Sequence, residues 1–308
     1  LKYINTYLSL ATLIILIGYI FYDHAEVEKE TPARITVAEP DWNFPGGAKS
    51  FDLPDTISFA GERVPLEIPD VRERLDREIH INTYWHNNTI FMIKRANRWL
   101  PQIEKILREE NIPDDFKYIA VIESGLINDI SEKNAVGFWQ FLKGTAKDFG
   151  LTVNRDVDER YDPIKSTRAA CKYFKQAYDK FNNWTLVSAS YDRGMRGMQN
   201  AMDNQKVDSY YDLLLNEETS RYIFRVLALK EILSHPAKYG FQVKDIHLYE
   251  PEPTKTILVS EDIPDLIEFA RTQGINYKIL KRLNPWLIRD QLSVSRGESF
   301  EIAIPATN

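Results

Sequence analysis

The chain has 308 residues, with 39 Lys and Arg against 45 Asp and Glu and a formal charge of −6. At 44% hydrophobic and 27% charged it has the composition of a globular protein, which excludes a disordered or fibrous chain. The net acidity argues against a nucleic-acid partner, because phosphate contacts need clustered Lys and Arg. The single cysteine, Cys171, excludes an intramolecular disulfide and a Cys-based zinc site. The five histidines include no HExxH pair, so no metal or cofactor is expected.

Residues 3–22 carry no charge; Lys2 precedes them, and Asp23, Glu26, Glu28 and Glu30 follow. A helix of that length spans about 30 Å, the thickness of a bilayer's hydrocarbon core. Residues 1–24 are therefore expected to be a membrane anchor or a signal segment. The long run and the lack of a small-x-small cleavage site favour the anchor. The flanking charges favour a short inside tail and an outside body. Residues 25–68, with Pro32, Pro40, Pro45, Pro54 and Pro65, read as a Pro-rich tether.

From residue 69 the pattern turns helical. Segments 70–85 and 89–112 repeat apolar residues at helical spacing, and Pro101 is expected to kink or split the second. In 112–126, Pro113, Asp114 and Asp115 suit a helix start. Phe116, Ile119, Ala120 and Ile122 supply a buried stripe there, and Gly125 suits the stop. Asp162-Pro163 opens a further helix, and 184–203 and 217–234 continue the pattern up to His235-Pro236. Residues 69–241 thus read as one mainly α domain and 242–253 as a linker. Residues 254–308 read as a small β-α-α-β module, with strands at 255–259 and 299–305 and helices at 262–274 and 276–285.

Glu123 stands near the C-terminal end of an otherwise apolar helix. The negative end of the helix dipole and partial burial both disfavour a carboxylate there, which suits a general acid at neutral pH. A solvated helix-end Glu is the plainer alternative. Three later segments add weight. In Gly137-Phe138-Trp139-Gln140-Phe141, glycine permits close backbone approach, Trp139 offers a face for a sugar ring, and Gln140 offers an amide. Ser190-Tyr191-Asp192-Arg193-Gly194 places a Tyr and a carboxylate in an apolar helix. Glu218 and Tyr222, four residues apart, share a helix face. Taken singly, these are equally a core Trp, a core Tyr and a surface Glu.

In this order the blocks Glu123-Ser124, Gly137-Phe138-Trp139-Gln140, Ser190-Tyr191-Asp192-Arg193-Gly194 and Glu218-Thr219-Ser220-Arg221-Tyr222-Ile223 resemble the catalytic domain of the family 1 lytic transglycosylases, over about residues 100–240. The resemblance implies a lysozyme-like SLT fold. It also implies cleavage of the β-1,4 bond between N-acetylmuramic acid and N-acetylglucosamine in peptidoglycan strands, leaving a 1,6-anhydro ring. By match, Glu123 is the acid that protonates the glycosidic oxygen and then the base that takes the C6 hydroxyl proton. Gln140, Tyr191 and Tyr222 match groove positions, Asp192 and Glu218 lie in the matching blocks, and Ser131 falls where the family has a Ser before the Gly block.

Such a protein belongs in the bacterial cell envelope, anchored in the membrane with its body in the periplasm. Two departures stand out: Ser190 where the family has Ala, and Asp192 where it has Asn. A carboxylate cannot donate a hydrogen bond as an amide does, so Asp192 opens the option of lysozyme-type hydrolysis. A non-catalytic peptidoglycan-binding protein on the same fold is the other alternative. Residues 254–305 resemble a LysM module, weakly at Ser260-Glu261-Asp262-Ile263 and better at Asn284-Pro285 and Ile304-Pro305.

Overall fold

The computed structural model describes residues 49–306. The anchor expected at 1–24, and most of the tether, lie outside the described residues. Among the described residues, no helix is long and apolar enough to cross a membrane.

A two-residue hairpin, β1 (Ser58–Phe59) and β2 (Glu62–Arg63), precedes eight helices of the body. These are α1 (Pro69–Tyr84), α2 (His86–Glu109), α3 (Lys117–Ser124), α4 (Lys143–Asp148), α5 (Pro163–Phe181), α6 (Trp184–Arg193), α7 (Met195–Gln205) and α8 (Glu217–Ser234). The C-terminal part runs β3 (Thr254–Val259), α9 (Leu266–Thr272), α10 (Tyr277–Leu283) and β4 (Phe300–Pro305). β3 and β4 pair antiparallel from Thr254↔Pro305 to Val259↔Phe300. The expected mainly α body with a β-α-α-β module is therefore present.

Local chemistry explains the helix ends. Asp162 caps α5 by accepting the Ile164 and Lys165 N–H groups at 2.8 and 3.0 Å, with Pro163 in the first turn. Asn216 caps α8 by accepting the Thr219 N–H. α8 is the hub of the body: it packs on α1, α3 and α6, burying Tyr222, Ile223, Val226, Leu227 and Leu229. The short α3 is held inside this arrangement, with every residue from Tyr118 to Ile122 buried.

Of the two outcomes expected at Pro101, the split does not occur, and α2 runs through it as one helix. Three features depart from expectation. Segment 184–203 is two helices, broken at Gly194, whose φ of 79° and ψ of 144° are not helical.

The described part of the tether is not a spacer. Ile57, Phe59, Val64 and Leu66 are buried in the main core, with Phe51 against His80. Alternating apolar residues there outweigh the prolines, because burial of each stabilises by about 1.5–3 kcal/mol.

The linker is also pinned. Tyr249 N–H donates to Lys94 O at 3.1 Å, and Arg98 Nε donates to Glu250 O at 2.9 Å. The β-α-α-β segment has its own core of Leu266, Ala270, Leu280, Trp286, Leu287 and Ile302, into which Val157 of the body inserts. Asp158 N–H donates to Trp286 O at 2.9 Å, and Ile288 N–H to Asp156 O at 2.8 Å.

Candidate active site

The site begins with how α3 stops. Gly125 takes a left-handed φ of 59° and closes the helix through its N–H on Val121 O. The last carbonyls are met by two arginines: Arg95 Nε donates to Gly125 O at 2.6 Å, and Arg225 Nη2 to Ile122 O at 3.0 Å. Glu123 sits within this turn, partly buried. Tyr222 Oη, from α8, donates to Glu123 Oε1 at 2.6 Å. Burial pushes the Glu123 carboxyl up to about 7, helped by the Asp192 and Glu218 charges. The Tyr222 bond and the Arg225 charge oppose that rise. The Tyr222 hydroxyl is itself raised far above its ordinary value by burial beside Glu123, so it stays a donor.

The Gly137–Phe141 loop is fastened to α3. Ser124 Oγ donates to Phe138 O at 3.0 Å, and Gly137 N–H to Asp129 O at 3.0 Å. Gly137 has φ 81°, and a Cβ there would lie 2.0 Å from the Arg160 carbonyl oxygen, so only glycine fits. Arg160 is locked in turn by Asp158 and by the Asn134 and Phe141 carbonyls.

Trp139 departs from expectation. It is 0% exposed, donates Nε1–H to Thr167 Oγ1 at 2.8 Å and packs on Phe174. It offers no face to a sugar; its two apolar neighbours in the loop are buried with it, so the loop hangs on a core anchor. Its carbonyl accepts the Tyr191 hydroxyl at 2.7 Å. Gln140, at φ 47°, turns its amide back to the Gly137 and Asp129 carbonyls at 2.9 and 3.2 Å.

Two cavities meet at Glu123. One, of about 500 Å³, is lined among others by Ser131, Lys133, Gln140, Tyr191, Asp192, Glu218 and Tyr222. The second, of about 510 Å³, is lined among others by Glu78, Asn82, Trp85, Asn88, Ile130 and Arg221. Ile122, Glu123, Ser131, Gln140 and Arg225 border both, so the carboxyl lies at the divide of one groove. Of the residues singled out from the sequence, Glu123, Ser131, Gln140, Tyr191, Asp192, Glu218 and Tyr222 thus fall on this groove, and Trp139 does not.

Their details differ. Asp192 Oδ2 accepts from Thr219 Oγ1 at 2.6 Å, and burial raises its pKa, opposed by that bond. The Glu218 side chain is 60% exposed, with Lys133 at 3.9 Å. Ser131 does not bond Glu123 and caps no helix. It closes its own turn by accepting the Ala135 N–H at 3.0 Å. Among the described residues, no cluster of three His, Cys, Asp or Glu side chains is placed to hold a metal.

Residues missed in the sequence include Arg95, Arg225 and the buried Glu78, whose carboxylate binds Arg221 Nε at 2.6 Å. For Arg225 the available signal was its i, i+4 pairing with Arg221 on the face that carries Glu218 and Tyr222. For Arg95 and Glu78 the sequence carries none, since both act across helices.

Residues 101–213 match the family model of the transglycosylase SLT domain, and residues 255–308 match that of the soluble lytic transglycosylase C-terminal LysM-like domain. Membrane-bound lytic murein transglycosylase D of Escherichia coli (strain K12) is 26% identical over 239 residues, covering 75% of this chain and 51% of that protein. The protein of the same name in Escherichia coli O6:H1 matches to the same extent. A putative tributyltin chloride resistance protein of Alteromonas sp. (strain M-1) is 30% identical over 114 residues, covering 36% of this chain and 55% of that protein. The chain spans about half the length of these curated relatives. The resemblance seen in the four sequence blocks and in the C-terminal module is borne out by these matches.

Proposed function

We propose that this chain, which carries a transglycosylase SLT domain and a C-terminal LysM-like domain, is a peptidoglycan lytic transglycosylase. The reading is that it cleaves the β-1,4 bond between N-acetylmuramic acid and N-acetylglucosamine and leaves a 1,6-anhydro end. The observation that carries this is Glu123: one carboxyl at the divide of a two-part groove, raised to about 7 and held by a tyrosine rather than by a second acid.

A group with that pKa is populated in both protonation states at neutral pH, so it can give and then take a proton. Ordinary glycosidases divide these jobs between two carboxyl groups. In the proposed reaction Tyr222 occupies Oε1, which leaves Oε2 to carry the proton. Oε2–H protonates the bridging oxygen as the C1–O bond breaks, and the resulting carboxylate is stabilised by the Tyr222 hydrogen bond and the Arg225 charge. The sugar's own O6 then bonds to C1, and its proton returns to Glu123. Atoms balance without water.

On this reading Tyr191, Asp192 and Glu218 line the path of the strand on one side of the acid, Gln140 and Ser131 border it on both, and the LysM-like module holds glycan. A segment 1–24 that anchors the chain would place the body in the periplasm.

The test is the muropeptide profile of purified sacculi. Wild type is expected to release products one water lighter than hydrolysed ones, and Glu123→Gln is expected to release none. Hydrolysed products alone would make the protein a lysozyme-type hydrolase. Undiminished release by Glu123→Gln would refute the assignment of the acid.

A further inference from the structure

One wall of the groove lies outside the segment that matches the SLT family model. The matched SLT segment begins at residue 101, yet the second cavity beside Glu123 is walled by α1 and the start of α2, through Ile81, Asn82, Trp85, Asn88 and Met92. Trp85 is the outlier among them. A tryptophan normally hides most of its large apolar surface, and this one is 60% exposed at the cavity wall.

Its backbone, in contrast, is fully engaged. Trp85 ends α1 and starts α2 at once: its N–H donates to Ile81 O at 3.0 Å, and its carbonyl accepts the Asn88 and Thr89 N–H groups at 3.1 Å each. Thr89 Oγ1 ties the same elbow to Asn82 O at 2.5 Å. The indole is thus an exposed ring on a rigid mount, and that pre-organisation spares a ligand the cost of ordering it. Around it, Ile81, Ile127 and Ile130 are also exposed and line the same cavity, at 38%, 45% and 54%. The Asn88 side chain and the Glu78–Arg221 pair supply polar groups beside them. Flat apolar faces with a polar rim fit a pyranose ring, which has apolar C–H faces and a hydroxyl edge.

We propose that Trp85 is the stacking platform for a sugar ring in the α1–α2 half of the groove, so that the strand is gripped on both sides of Glu123. This rests on the reading of the groove as a glycan site. Trp85 is a positioning residue on this view and takes no part in bond breaking.

The test uses the full chain carrying Glu123→Gln, titrated with a β-1,4 N-acetylglucosamine hexamer while the indole N–H signals of its six tryptophans are followed by NMR. The Trp85 signal is identified by its loss in Trp85→Phe. It is expected to shift on titration. A Trp85 signal that stays still overturns the proposal, whether or not signals of other tryptophans move.

On sacculi, Trp85→Ala is expected to raise KM roughly three- to tenfold, the scale of one aromatic contact, with kcat changed less. Trp85→Phe is expected to keep most of the affinity, because any aromatic face stacks. An Ala variant within twofold of wild type, or a Phe variant as weak as Ala, overturns stacking. Sacculus cleavage that survives Glu123→Gln would sink the catalytic assignment and leave this inference standing, since the titration reads binding alone.

Discussion

Replacing Glu123 by glutamine is expected to stabilise the folded protein, and only at high pH. The carboxyl is raised from 4.5 to about 7 by burial, so the folded state holds its proton more tightly than the unfolded chain does. Below the unfolded value both states are protonated and there is no penalty. As pH rises from about 4.5 towards 7 the unfolded chain releases the proton first, and folding must retain it or bury a charge. Above about 7 the penalty is complete.

At about 1.4 kcal/mol per unit, a rise of this size is worth about 3 kcal/mol against the fold. Glutamine is isosteric, carries no charge and still offers an oxygen to Tyr222, so it removes the penalty and little else. Thermal unfolding of both proteins at pH 4.5 and pH 8.5 measures it. Near pH 4.5 the midpoints are expected to coincide. At pH 8.5 the variant is expected to melt about 6–12 °C higher, at roughly 2–4 °C per kcal/mol for a body of this size. Equal stabilisation at both values, or destabilisation at pH 8.5, would show that Glu123 is not held protonated by its surroundings.

Other perturbations probe the same geometry. Tyr222→Phe removes a hydrogen bond that favours the carboxylate, so the alkaline limb of the pH–rate profile is expected to move to higher pH while kcat falls about tenfold, the value of one charge-assisted bond; a limb that moves down contradicts this. Asp192→Asn removes a like charge from the same cavity. The limb is then expected to move to lower pH, and mass spectrometry of the products should give a larger anhydro share than wild type. An unchanged product ratio would mean that Asp192 has no part in admitting water. Gly137→Ala forces a Cβ onto the Arg160 carbonyl at a positive φ, and a loss of about 3 kcal/mol is expected in denaturant unfolding; a loss under about 1 kcal/mol would mean that the loop can shift.

What the sequence determined by itself was whatever short-range chemistry encodes. Helix periodicity, the Asp162-Pro163 start, the Gly125 stop and the β-α-α-β order are all local patterns, and each is present in the fold. The blocks around Glu123, Gly137, Tyr191 and Tyr222 were legible because their residue types recur in fixed order. Only the tertiary structure decided which of those side chains face the groove. Trp139 has the residue type of a sugar platform and is sealed in the core beside Thr167, whereas Trp85, in a segment legible only as helix, is exposed on the groove wall. The surroundings of Glu123 were likewise out of reach: Tyr222 and Arg225, which oppose the rise of its pKa, lie about a hundred residues away and are brought in by the packing of α8 on α3. Periodicity states that a residue is on a face. What that face meets is set by long-range packing, and burial, which moves the Glu123 pKa most, exists only after the chain has closed on itself.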